Sequence, residues 1–200
     1  AIDSVPLVVS PGDLYVVRVA RSGNYVGASA LIEDRSLVLD GGVADCSVGI
    51  GDSNRATIDR AGSNGAVIEV RGTATRENVT LRNLVLRGAA GVIGTGLRVR
   101  NADVVLENTI LRNNTGAIRG GGLDLDGAGL GASTRLTASS AVLENQVLQE
   151  GGGIYCYRGA RLEVDASVAV INNEALEGGG LYIDGCTGYA NSGADGLAAL

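Results

Sequence analysis

Gly120-Gly121-Gly122-Leu123-Asp124-Leu125-Asp126 returns as Gly151-Gly152-Gly153-Ile154-Tyr155-Cys156-Tyr157 and again as Gly178-Gly179-Gly180-Leu181-Tyr182-Ile183-Asp184. A looser copy, Gly94-Thr95-Gly96-Leu97-Arg98-Val99, precedes them, so the aliphatics at 97, 123, 154 and 181 stand 26, 31 and 27 residues apart, a mean of 28. Gly65-Ala66-Val67-Ile68-Glu69-Val70 extends the series backwards, with Ile68 lying 29 residues before Leu97. A second register agrees with the first, because Asn78–Arg87 aligns with Asp103–Arg112 at an offset of 25. Within each copy, aliphatic and other residues alternate with a period of two, which is the strand period. The runs are short and bounded by Gly, Asn, Asp and Ser, and none carries a helical stripe. A period near 28 is too short for a βαβ unit of about 30 residues with a real helix.

The sequence therefore predicts an all-β fold, a right-handed single-stranded parallel β-helix of about seven coils of about 28 residues. The inward columns are 68, 97, 123, 154, 181 and 70, 99, 125, 156, 183. One coil cannot bury its apolar face alone, and stacking provides the cover. An Asn stands six residues before each glycine triplet, at Asn114, Asn145 and Asn172, and is expected to form a hydrogen-bonded ladder between coils. The longest interval holds Gly127–Ser133, expected to bulge outward as a loop. Residues 1–30 are expected to form an N-terminal cap and first coil, with strands at Leu7–Val9 and Tyr15–Val19. Residues 31–200 are expected to form the coils, continuing beyond or truncated at the C-terminus, where an open coil invites self-association.

Composition then limits the chemistry. The 200 residues include 32 Gly, more than twice the usual share. All 16 basic residues are Arg, against 22 acids, for a net charge of −6. His, Lys, Met, Trp and Phe are absent. Without His there is no Ser-His-Asp or Cys-His catalysis and no imidazole ligand. Without Lys there is no P-loop lysine and no Schiff base. An acidic chain with few aromatics is a poor nucleic-acid binder. No apolar run approaches the roughly 18 residues of a membrane span, and no basic segment followed by an apolar stretch marks a signal peptide. Cys46, Cys156 and Cys186 allow at most one internal disulfide. Cys156 alternates with Ile154 and points inward. Cys186 lies one coil later and forms the candidate pair with it, although the alignment sets it three residues away.

The repeat resembles that of the polymorphic outer-membrane proteins, in which an Asn-containing turn precedes Gly-Gly-Ala-Ile. The residues that carry the likeness are Val142-Leu143-Glu144-Asn145 before Gly151-Gly152-Gly153-Ile154, Ala169-Val170-Ile171-Asn172 before Gly178-Gly179-Gly180-Leu181, and Leu111-Arg112-Asn113-Asn114 before Gly120-Gly121-Gly122-Leu123. The family's leading aromatic is aliphatic in all three, and its Ala is Gly. Ser36–Gly42, Ala56–Asp59 and Val79–Leu84 are similar to the opening coils of pectate-lyase-like β-helices and adhesin domains. The likeness covers roughly residues 30–185. It implies secretion, display on a bacterial cell surface and adhesion to a protein or glycan.

The outward columns Arg98, Asp124, Tyr155, Tyr182 and Arg100, Asp126, Tyr157, Asp184 hold the candidate binding residues Tyr155, Tyr157, Tyr182, Asp124, Asp126, Asp184 and Arg158. Tyr offers contact area and a hydroxyl at low entropic cost. The same columns also fit a cross-coil ladder, with Arg98 on Asp124, Arg100 on Asp126 and Tyr155 on Tyr182. Asp124, Asp126 and Asp184 bring oxygen ligands near one another, but no calcium-loop pattern accompanies them, so no metal and no cofactor is expected. The expected function is partner binding without catalysis. The alternative is a polysaccharide lyase or hydrolase working on this lateral face near Asp124, Asp126, Asp184 and Arg158, for which the usual His and Lys are missing.

Overall fold

The computed structural model describes residues 15–20, 24–43, 55–92, 94–116, 118–137 and 139–191. These form 21 short strands with no helix among them. The first coil runs β1 (Val16–Ala20), β2 (Asn24–Val26), β3 (Ala30–Glu33), and the second β4 (Leu37–Val43), β5 (Ala56–Asp59), β6 (Ile68–Arg71). The third is β7 (Glu77–Arg82), β8 (Leu84–Arg87), β9 (Leu97–Arg100). The fourth is β10 (Ala102–Glu107), β11 (Ile110–Arg112), β12 (Thr115–Gly116), β13 (Leu123–Asp126), and the fifth is β14 (Ser133–Leu136), β15 (Ala141–Leu143), β16 (Gln146–Val147), β17 (Ile154–Tyr157). The sixth is β18 (Arg161–Asp165), β19 (Ala169–Ile171), β20 (Leu181–Asp184), followed by β21 (Thr187–Asn191).

Every strand pairs in parallel with its equivalent one coil away, giving a seven-stranded sheet, two six-stranded sheets and the small pair β12–β16. The protein is a parallel β-solenoid. Six complete coils and one strand of a seventh are described, where the period predicted about seven. The expected strand at Leu7–Val9 and the thiol of Cys46 lie outside the described residues; the expected strand at Tyr15–Val19 is found at Val16–Ala20.

The register matches the columns read from the sequence. Ile68, Leu97, Leu123, Ile154 and Leu181 stand in line, as do Val70, Val99, Leu125, Cys156 and Ile183. Leu81, Leu106, Leu136 and Val164 form a column on the first sheet. These side chains fill a continuous core, except in the sixth coil, where Leu181 is half-buried and Ile183 is 47% exposed. One polar intruder sits among them. Thr134 is buried between Val104 and Leu162, and its Oγ1 has no hydrogen-bond partner. An unsatisfied buried hydroxyl costs about 1–3 kcal/mol. Thr134→Val is expected to raise stability by about 1 kcal/mol in urea unfolding; a loss would show that the hydroxyl is solvated.

The glycine triplets have two separate causes. Gly120, Gly151 and Gly178 turn the chain at φ of +62°, +64° and +61°. Their followers are needed for space: a Cβ on Gly122 would stand 2.6 Å from the Gly153 carbonyl oxygen, and one on Gly153 would stand 2.5 Å from that of Gly180. Other corners use single left-handed residues, often Asn, as at Asn83, Asn101, Asn108, Asn113 and Asn172. The 31-residue coil finds its extra length at two corners, between β13 and β14 and between β14 and β15.

The asparagine ladder exists, with one correction. Asn114 and Asn145 are buried, and the next rung is Asn173, not Asn172. Asn172 is exposed with φ +55°, in the corner position taken by Asn113 and Glu144 in the preceding coils. The turn of the sixth coil is one residue shorter, so counting back from the triplet lands on the wrong neighbour.

Candidate functional site

The outward face of the third sheet brings most of the candidate binding residues together. Pairing β9–β13–β17–β20 aligns Arg98, Asp124, Tyr155 and Tyr182, and beside them Arg100, Asp126, Tyr157 and Asp184. The expected ladder forms. Arg98 Nε donates to Asp124 Oδ2 at 3.0 Å, Arg100 lies 3.7 Å from Asp126, and the Tyr155 and Tyr182 rings stack with centroids 5.4 Å apart. Arg158, in a left-handed corner, grips Asp126 with two guanidinium nitrogens.

One residue outside the expected set organises this face. Arg119, in the turn before Gly120, lies over the Tyr155 and Tyr157 rings at 5.0 and 4.2 Å. Its Nη2 donates to the Tyr157 hydroxyl at 2.8 Å, and its Nε is 3.9 Å from Asp124 Oδ1. The consequence is a correction to the open aromatic platform expected from alternation. Tyr155, Tyr157, Asp124 and Asp126 all face away from the core, yet all are buried. Tyr182 is half-buried, and Asp184 and the Arg158 side chain are exposed.

The two carboxylates respond oppositely to this burial. Asp124 is 2% exposed, and desolvation pushes its carboxyl above the ordinary value despite Arg98, Arg119 and Arg100. Its Oδ1 accepts no hydrogen bond, so only the Oδ2 oxygen is compensated by a donor. Burial also acts upward on Asp126, but Arg158, the Ala128 amide and Tyr157 outweigh it and hold the carboxyl below the ordinary value. Burial, the Asp124 charge and a hydrogen bond to Asp126 push Tyr157 up to about 12. Burial and Glu150 raise Tyr155.

Opposite shifts give opposite pH effects. The raised carboxyl of Asp124 contributes stability below the ordinary value of 3.8 that is lost as pH rises through its folded value. The lowered carboxyl of Asp126 contributes stability above 3.8 that is lost as pH falls through its folded value. Asp126→Asn is therefore expected to lower stability at neutral pH and flatten the acid limb, whereas Asp124→Asn, which also removes the partner of Arg98, does not flatten that limb. Urea midpoints across about pH 3–7 check this, and an acid limb flattened equally by both variants would refute it.

Cys156 and Cys186 are joined by a disulfide, with Cα atoms 5.7 Å apart. The three-residue offset closes because Gly185, at φ +64°, turns the chain back and seats Cys186 on Ala160 across the corner. Among the described residues no three His, Cys, Asp or Glu side chains group as metal ligands, and no helix is long and apolar enough to cross a membrane.

Fold and face together define a disulfide-clamped parallel β-solenoid with an arginine-roofed tyrosine–aspartate wall. In comparisons with known proteins, no family model, no curated protein and no solved structure matches the chain.

Proposed function

We propose that the chain is a non-catalytic binding scaffold, exported and displayed on a bacterial cell surface as an adhesin-type passenger, whose lateral wall recognises a protein or glycan. The observation that carries this reading is that the arginines engage both carboxylates of the wall. Glycoside hydrolysis needs two carboxylates about 5–9.5 Å apart that reach the bond. Asp124, at 2% exposure, reaches no substrate, and Asp126 is held ionised by Arg158. The face is thus a fixed relief of Tyr182, Asp184 and Arg158 standing on a packed base. The Cys156–Cys186 disulfide supports an oxidising compartment, and the resemblance of the repeat to surface β-helices points the same way.

The test is a panel of neutral and uronic-acid polysaccharides and cell-surface glycoproteins, with and without Ca²⁺, read both for retention on the immobilised chain and for new reducing ends. Retention without cleavage is expected, weakened about tenfold by Tyr182→Ala combined with Asp184→Asn. Cleavage abolished by Asp126→Asn would replace this reading with the polysaccharide-active one.

A further inference from the structure

The turns leading into the glycine triplets carry a second surface. Each presents an exposed aliphatic: Val92 in the third coil, Ile118 in the fourth, Leu148 in the fifth and Leu176 in the sixth, the last two 71% and 81% exposed. Backbone pairing stacks these turns. The bridges Gln146–Glu174 and Glu150–Glu177 bracket Leu148 and Leu176. The pair Gly116–Val147 and the bridge Arg119–Glu150 both run at an offset of 31 and set Ile118 opposite Gln149, one residue past Leu148. The Thr115 amide donates to the Ala89 carbonyl and sets the turn of Val92 against that of Ile118. Four exposed aliphatics therefore occupy equivalent turns of successive coils, which rise about 4.8 Å apart, and form a crest along the solenoid that is staggered by one residue between Ile118 and Leu148.

The crest runs through negative charge. Glu144, Glu150, Glu174 and Glu177 lie in these turns, Glu150 and Glu177 on the side of Tyr155 and Tyr182, and Arg119, the one basic residue of these turns, is folded down onto Tyr155, Tyr157 and Asp124. Scattered exposed aliphatics are ordinary, but a contiguous row in neighbouring turns marks an interaction surface.

We propose that this crest docks a cationic amphipathic α-helix of a partner protein. This rests on the reading of the chain as a binding scaffold and supplies the chemistry of one partner. A helix advances about 5.4 Å per turn, so an apolar stripe at i, i+3/i+4, i+7 meets one crest residue per turn. Same-face residues of an extended strand lie about 6.6–6.8 Å apart and lose step within a few coils. Lys and Arg beside the stripe face the glutamates. A second copy of the chain, or an anionic bilayer, would set negative charge against negative charge.

The probe is a labelled synthetic helix of about five turns with a leucine stripe flanked by Lys and Arg, titrated by fluorescence anisotropy with the full chain. Saturable binding is expected, weakening as salt rises. Leu148→Ser with Leu176→Ser is expected to weaken it about tenfold or more, and Glu174→Gln with Glu177→Gln to reduce its salt dependence. Both pairs are exposed, so folding is retained. Asp184→Asn, which leaves the Tyr182–Glu177 contact in place, is expected to leave helix binding unchanged, which separates the crest from the wall. Absence of binding, equal binding of a peptide of scrambled stripe, or indifference to the leucine substitutions overturns the proposal while leaving the wall reading standing. So does crest-dependent dimerisation, or crest-dependent binding to phosphatidylserine vesicles in place of the helix.

Discussion

Replacing Asn145 by Leu is expected to cost about 4 kcal/mol and to lower the melting temperature by about 10 °C. Asn145 is fully buried at the corner between β15 and the glycine triplet. Its Nδ2 donates to the Leu111 carbonyl at 3.0 Å and to Asn173 Oδ1 at 2.9 Å. Its Oδ1 accepts from the Asn114 backbone amide at 3.2 Å and from Asn114 Nδ2 at 2.9 Å. Leucine nearly conserves the volume but strips partners from the Leu111 carbonyl, the Asn114 amide and the neighbouring Asn side chains. Each buried group left unpaired costs about 1–3 kcal/mol, and no water replaces the lost partner without opening the coil. The comparison is Asn172→Gly. Asn172 is exposed and left-handed, a conformation glycine adopts freely, so this substitution is expected to change stability by less than about 0.5 kcal/mol. Urea unfolding of the two variants decides between the rungs. A loss under about 1 kcal/mol at Asn145, or a comparable loss at Asn172, would mean that the ladder is not where hydrogen bonding places it.

That pair of residues also shows where the sequence stops being legible. The period, the inward columns and the outward columns were open to reading because stacking copies one coil onto the next, so spacing becomes contact. Turn length is not copied so strictly. Six residues separate Asn145 from Gly151 but five separate Asn173 from Gly178, and only the pairing of Leu143 with Ile171 fixes which Asn continues the ladder. The wall failed to be legible for a different reason. Alternation says which side of a strand a residue faces, not whether another side chain lies over it. Arg119 comes from a turn, four residues before Leu123 on the chain but above Tyr157 of the next coil in space, and long side chains from corners have no period. The crest, by contrast, was present in the repeat as an aliphatic two or three residues before Gly94, Gly120, Gly151 and Gly178; strand alternation drew attention away from the turns.

Opening the Cys156–Cys186 bond is expected to loosen the last coils and leave the others intact. The bond closes a 30-residue separation, for which chain entropy gives about 3.6 kcal/mol. In a compact domain that loss would be spread over the whole molecule. In a solenoid each coil contacts only its neighbours, so stability is a sum of local terms and a lost cross-link is felt beside it. The sixth coil is the one that needs the clamp. Its inward Leu181 and Ile183 are only partly covered, whereas Ile154 and Cys156 one coil earlier are fully buried. The bond ties the buried Cys156 on β17 to the corner between β20 and β21, fastening the weakly packed coil to a well packed one. Hydrogen exchange on the intact chain, on the chain reduced with dithiothreitol and on a Cys156→Ala, Cys186→Ala variant reads the effect. Amides of β20 and β21 are expected to exchange about a hundredfold faster or more in both altered forms, while those of β7 and β10 keep their protection. Agreement between reduction and substitution separates the clamp from the small cavity that alanine leaves at position 156. Uniform loss across all coils would show that the solenoid unfolds as one unit, and unchanged β20 and β21 would show that packing alone holds the sixth coil.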